Sequence, residues 1–277
     1  MKLRGNSPVA GARVAHQVEG PRDGPALLLL QGQANSHAWW QHVRPLLTER
    51  FLTVTFDYRG TGGTARLQAA TGSEDETRWS TKLFADDAAA VLSALGIGSA
   101  FVYGTSMGGR IAQELAIARP ELVRALVLAC TTPGGPVATE RDREVRLALS
   151  SPDRAARLRT TADLFYTPDW IAAHGGYDAV PTYLFGDPTM TRRDANRHLR
   201  VSARHDAADR LQQIDAPTLI LHGAEDRFAP VANAMVLHER IRGSRLHVHA
   251  TGRHGFFDEF AVETTDLVTK FLVPPQT

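Results

Sequence analysis

The sequence predicts an α/β fold in which a mostly parallel sheet is flanked by helices on both faces and interrupted once by a helical insertion. Three observations predict it. Short apolar runs of strand length recur along the chain, amphipathic stretches of helix length alternate with them, and the stretch 133–213 carries no strand pattern.

In chain order, ARVAHQVEG reads as an antiparallel edge strand near the amino terminus. The core strands are ALLLLQG (26–32), FLTVTFDY (51–58), AFVYGT (100–105), VRALVLAC (123–130), PTLILHG (217–223) and RLHVHA (245–250). Their continuous apolarity suits strands covered on both faces. HAWWQHVRPLLTE follows the first as a helix, TKLFADDAAAVLSALG precedes the third, and MGGRIAQELAIARP follows it. PVANAMVLHERI and FFDEFAVETTDLVTKFL flank the last strand. Residues 133–213 are rich in Arg and Ala and contain Phe165, Tyr166, Trp170, Tyr177, Tyr183 and Phe185. So long a stretch is not a plain connection. The chain therefore divides into a core, 1–132 and 214–277, and a helical cap, 133–213, lying over the carboxyl ends of the strands.

Composition narrows the function. The 277 residues carry a net charge of +1, with 43% hydrophobic and 22% charged residues, an ordinary globular balance with no field to gather nucleic acid or an anionic membrane. Cys130, the only cysteine, excludes an intrachain disulfide and reads as a small buried thiol. The start lacks an apolar stretch of signal-peptide length, and LLLL at 27–30 is too short to span a bilayer. The expectation is a soluble cytoplasmic protein acting on a small molecule. There is no cysteine–histidine cluster for a metal and no G-x-G-x-x-G fingerprint for a dinucleotide, so no cofactor is expected. Nothing in the sequence specifies an oligomer.

The chemistry centres on FVYGTSMGGR (101–110), where Gly104-Thr105-Ser106-Met107-Gly108 fits G-x-S-x-G between a strand and a helix. A sharp turn there would hold Ser106 in strained dihedrals with its hydroxyl above the sheet, and nearly side-chain-free neighbours would let helix and strand approach. The helix amino terminus would aim N–H groups where an oxyanion forms. A serine hydroxyl needs a base, and His254 in TGRHGFFDEF follows the last strand at the carboxyl edge. His247 and His249 lie within that strand, and His222 lies ahead of a turn. The histidine in turn needs an acceptor. Asp226 in LILHGAEDRFAP is the candidate, with Glu225 as its neighbouring rival. Asp215 would sit at the wrong end of the sheet, and Asp86, Asp87 and Asp258 read as helix residues.

With Ser106, Asp226 and His254 in that chain order, the sequence resembles the α/β-hydrolase fold superfamily over essentially its whole length. DYRGTGGT (57–64), DDAAAVLSALGI, PTLILHGAEDRFAP and GRHGFF carry the resemblance with the serine motif, and the nearest flavour is that of small capped esterases and lactonases, including enol-lactonase-like enzymes. The resemblance implies an oxyanion hole built from the backbone N–H groups of Met107 and Gln33. This chain has Gln31-Gly32 where His-Gly is common, which bears on how that loop is held. It also implies a serine hydrolase cleaving a carboxylic ester or lactone through an acyl-enzyme. A carbon–carbon bond hydrolase, lyase or perhydrolase would reuse the same three residues, and an inactive ligand-binding receptor on a hydrolase fold is the alternative from another class. Trp39, Phe165, Tyr166 and Trp170 are candidates to line an apolar or aromatic substrate pocket, set against the simpler expectation that they pack on one another.

Overall fold

Alternate residues of the apolar strands part to opposite faces of one sheet, as the two-residue repeat of a strand requires. Leu28, Leu30, Val102, Leu126, Leu128 and Ile220 join one buried cluster. Leu27, Leu29, Phe101, Tyr103, Val127, Leu219 and Leu221 join the other. The computed structural model describes residues 1–71, 78–180 and 185–274, so Tyr183 lies outside the described residues.

Eight strands form the sheet: β1 (Lys2–Val9), β2 (Ala12–Glu19), β3 (Ala26–Leu30), β4 (Leu52–Phe56), β5 (Ala100–Thr105), β6 (Val123–Ala129), β7 (Thr218–Gly223) and β8 (Arg245–His249). Their spatial order is β1-β2-β4-β3-β5-β6-β7-β8. The β1–β2 and β2–β4 pairs are antiparallel, and every pair from β4–β3 to β7–β8 is parallel. The parallel strands therefore present their carboxyl ends at one edge.

The helices are α1 (Arg44–Leu47), α2 (Gly62–Thr71), α3 (Thr81–Ala94), α4 (Met107–Ala118), α5 (Arg143–Leu149), α6 (Arg154–Phe165), α7 (Pro168–Ala173), α8 (Arg192–Ala203), α9 (Ala232–Arg240), α10 (Phe256–Glu259) and α11 (Ala261–Leu272). Helices α3, α4 and α9 bury Phe84, Ile111, Leu115 and Leu237 against one face of the sheet. Helices α1 and α11, with Trp40, bury Leu47, Val268 and Leu272 against the other. Between β6 and β7 the described residues hold α5 to α8 and short turns, with one isolated bridge from Gly134 to Asp206.

Three local expectations need correction. ARVAHQVEG forms β2, one position inside the sheet, and the edge strand is β1. Only Ser7 of β1 is buried, so KLRGNSPV shows no apolar run. His37–Trp40 is a 3-10 turn rather than the start of a helix, and the regular helix begins at Arg44 with Pro45 in its first turn. FFDEFAVETTDLVTKFL is two helices, α10 and α11, parted at Phe260, whose φ of −105° and ψ of 44° leave the helical region. Among the described residues no helix is long and apolar enough to cross a membrane.

Candidate active site

Four loops leave the carboxyl edge of the parallel sheet after β3, β5, β7 and β8, and the candidate residues ride on them. The turn from β5 to α4 carries Ser106 at φ 53° and ψ −118°, a left-handed conformation that a serine adopts only under constraint. The constraint is visible. Ser106 N–H donates to Ala129 O at 2.9 Å, and Ser106 O accepts from the Thr131 hydroxyl at 2.7 Å. The glycines permit the approach of α4. A Cβ on Gly108 would stand 2.0 Å from Leu30 O, and one on Gly104 would stand 2.4 Å from Gly108 O. Both obstacles are backbone atoms, so no side-chain rotation could relieve them.

Ser106 Oγ lies 3.1 Å from His254 Nε2, and His254 Nδ1 lies 2.8 Å from Asp226 Oδ2. Asp226 is acceptor-only when ionised, so Nδ1 carries the proton and Nε2 offers its lone pair to the serine hydroxyl. Asp226 Oδ1 accepts from Phe228 N–H at 2.9 Å and Ala229 N–H at 2.8 Å. Burial alone would raise the pKa of this carboxyl. The charge of His254 and the facing imidazoles of His222 and His254 outweigh it and hold the group well below the usual carboxylate range. Glu225 is exposed, with Arg253 Nε 3.5 Å away, and takes no part. His254 is 1% exposed, walled by Phe165 at 4.9 Å and Phe228 at 4.5 Å between ring centroids.

Met107 is the first residue of α4, directly after the serine. Gln33 stands with Ser106 on the wall of a cavity of about 670 Å³. Gln31 is fully buried. Its side-chain amide donates to Phe56 O at 2.8 Å while its backbone carbonyl accepts from the Tyr58 hydroxyl at 3.1 Å, which ties the loop after β3 to β4.

The four aromatic pocket candidates are placed differently from expectation. None of them lines the cavity that holds Ser106. Trp39 donates from Nε1 to Thr105 Oγ1 at 2.9 Å and packs on Phe165 and Phe257. Phe165 supports the His254 ring, while Tyr166 stacks on Trp170 at 3.9 Å and donates its hydroxyl to Asp258 at 3.0 Å. Large flat rings gain most by packing on one another between the 133–213 segment and the core. The cavity wall is mixed, with Arg110, Thr132, Arg141, His205 and Asp206 beside Leu149, Leu199 and Phe228.

The sequence reading missed three residues of this region. His222 is fully buried, with Nε2 2.7 Å from Ala229 O and 3.4 Å from Asp226 Oδ2. A carbonyl can only accept, so Nε2 carries the proton, and it faces the same carboxylate that orients His254. His198 of α8 accepts from Ala34 N–H at 3.2 Å and donates to Arg59 O at 2.9 Å, which pins the loop carrying Gln33. Its long reach across the chain left no local signal. Arg110 did leave one, since it follows Ser106 by four positions, one helical turn along the same face. Among the described residues no cluster of three or more candidate ligands could hold a metal ion.

Residues 25–165 match the family model described as alpha/beta hydrolase fold. An Azorhizobium caulinodans protein named "Putative carbamate hydrolase RutD" is 29% identical over 241 residues, covering 84% of this chain and 85% of that one. Among solved structures, the enol-lactonase from Burkholderia xenovorans is similar with a TM-score of 0.76 at 20% identity, covering 97% of this chain and 99% of that one. A meta-cleavage product hydrolase from Pseudomonas fluorescens reaches a TM-score of 0.79 at 20% identity over 96% of each chain.

Proposed function

Because this chain belongs to the alpha/beta hydrolase fold family, we propose that it is a serine hydrolase that cleaves a carboxylic ester or lactone of a small molecule through an acyl-enzyme. The observation that carries the reading is the unbroken relay from Ser106 Oγ through His254 to Asp226, at 3.1 and 2.8 Å. A strained, hydrogen-bonded serine on a helix amino terminus has the geometry of an attacking hydroxyl.

In this reading His254 Nε2 takes the Ser106 proton as Oγ attacks the carbonyl carbon. The backbone N–H groups of Met107 and Gln33 hold the oxyanion of the tetrahedral intermediate. His254 then gives its proton to the leaving alkoxide, and the acyl-enzyme forms. A water molecule, deprotonated by the same imidazole, repeats the addition and releases the acid. Asp226 keeps the proton on Nδ1 throughout and stabilises the imidazolium. Residues 133–213 act as a cap over this edge of the sheet.

The relatives named for carbamate hydrolysis favour a second reading in which the carbonyl carries nitrogen in place of the alkoxide. The relay is the same, and His254 would protonate a nitrogen leaving group. Amine or ammonia release from carbamates, faster than alcohol release from matched esters, would select it.

The test is labelling and turnover together. A fluorophosphonate should label the folded protein at Ser106, and Ser106→Ala should abolish labelling and lower ester turnover by several orders of magnitude with the circular dichroism spectrum unchanged. Equal turnover by the variant would remove Ser106 from the mechanism.

A further inference from the structure

The cavity that holds Ser106 also holds a partly buried guanidinium with unused hydrogen-bonding capacity. Arg110 lines it one helical turn beyond the nucleophile. Its Nη1 donates to Ser202 O of α8 at 2.6 Å, while its Nε is buried without a partner. Arg141 lines the same cavity with its guanidinium 3.8 Å over the Phe228 ring, which itself packs on His254. Glu140 and Asp206 are the acidic residues of the wall, and neither forms an ion pair with Arg110 or Arg141 among the described residues. Asp206 Oδ1 instead accepts from Ala208 N–H at 3.2 Å.

A partly buried guanidinium with no carboxylate in hydrogen-bonding reach is stabilised when another group supplies the acceptor. Burial lowers the pKa of Arg110 to about 10, with the charge of Arg141 adding to the effect and that of Glu140 opposing it, so the group is still a cation at neutral pH. Four arginines, Arg110, Arg141, Arg146 and Arg204, outnumber Glu140 and Asp206 on this wall, and Arg110 and Arg141, the former with an unsatisfied buried N–H, suit a planar anion able to accept in pairs.

We propose that Arg110 and Arg141 bind a carboxylate on the substrate, so that the hydrolase prefers an ester or lactone bearing a free carboxylate over its neutral counterpart. The inference rests on the Ser106 reading for the scissile bond, and its substrate preference can fail while that reading stands.

The experiment compares p-nitrophenyl hydrogen glutarate with p-nitrophenyl methyl glutarate, and 4-carboxyphenyl butyrate with its methyl ester. The first pair puts the carboxylate on the acyl side, the second on the leaving side. Wild type should favour the acid in at least one pair by tenfold or more in kcat/KM. Arg141→Met and Arg110→Met should each reduce that preference at least tenfold, with the change carried by KM. Arg110→Met also loses the bond to Ser202, so Arg141→Met, which breaks no hydrogen bond to the protein, carries the decision if the former unfolds. Neutral esters turned over as fast as the acids, in a reaction abolished by Ser106→Ala, would overturn the carboxylate site and leave the hydrolase intact. If no ester is turned over, isothermal titration of Ser106→Ala with monomethyl glutarate and dimethyl glutarate decides. Binding of the anion at least tenfold tighter, lost on adding Arg141→Met, upholds the site, and equal binding overturns it.

Discussion

Asp226 shows how much one side chain is asked to do. Its Oδ1 is held by two backbone N–H groups and its Oδ2 faces two imidazoles, so the carboxylate has a single orientation and a single protonation state. Asp226→Asn should lower kcat by about 10⁴-fold, because the amide N–H turns His254 to the wrong tautomer while leaving the ring in place. Stopped-flow or steady-state turnover at constant substrate saturation measures it, and a loss under tenfold would contradict the assigned tautomer. The same carboxyl contributes to stability. Its folded pKa lies below the unfolded value of about 3.9, so its contribution is present above that value and lost as pH falls further.

At the scale of elements, the strand-to-helix turn is set by close backbone approach. Gly108 brings α4 against the end of β3, with Leu30 O 2.0 Å from where a Cβ would be. Gly108→Ala should destabilise the fold by about 1–3 kcal/mol, the usual cost of overpacking, and displace the serine enough to depress turnover. Gly98→Ala is the matched control. Nothing lies within 4 Å of its Cβ position, and the change should stay within about 0.5 kcal/mol. Urea midpoints of the two variants test the contrast directly. The loop after β8 is likewise built by contact, since His254 N–H donates to Leu164 O at 3.1 Å and Gly255 N–H to Phe165 O at 2.8 Å. Helix α6 therefore holds the histidine from above.

For the whole molecule, the 133–213 segment and the core share buried polar joints, and two of these are histidines that must stay neutral. Burial lowers the pKa of His198 to about 4. Burial, with the charges of Arg110 and Arg210, lowers that of His205 to about 3. Unfolded imidazoles titrate near 6.5, so the unfolded chain binds more protons between that pH and the folded values. The contribution of these two histidines should be level above about pH 6.5 and fall on acidification towards pH 4, by on the order of 3 kcal/mol for His198 alone. Denaturant titrations from pH 8 to pH 4 measure it, and His198→Gln should flatten part of the slope. A midpoint independent of pH over that range would mean that His198 is not held neutral.

The order of the core strands, the serine turn, and the position of Asp226 and His254 in the loops after β7 and β8 were legible in the linear chain. Each follows from local pattern: apolar runs of strand length, glycines at fixed offsets from Ser106, and an acidic and a basic residue just past the ends of β7 and β8. The departures arose where an element's role depends on distant neighbours. Strand β1 is polar because its outer edge is solvated, so no apolar signal marked it. Tyr166 and Trp170 look like pocket residues in a string of letters, yet they stack on each other, away from the cavity that holds Ser106. His198 meets the loop after β3 across 164 positions, and Arg110 meets Ser202 across 92. Backbone periodicity and turn chemistry act over a few residues and can be read along the chain. Which polar groups share a buried cavity is decided only when remote segments pack and water is excluded between them.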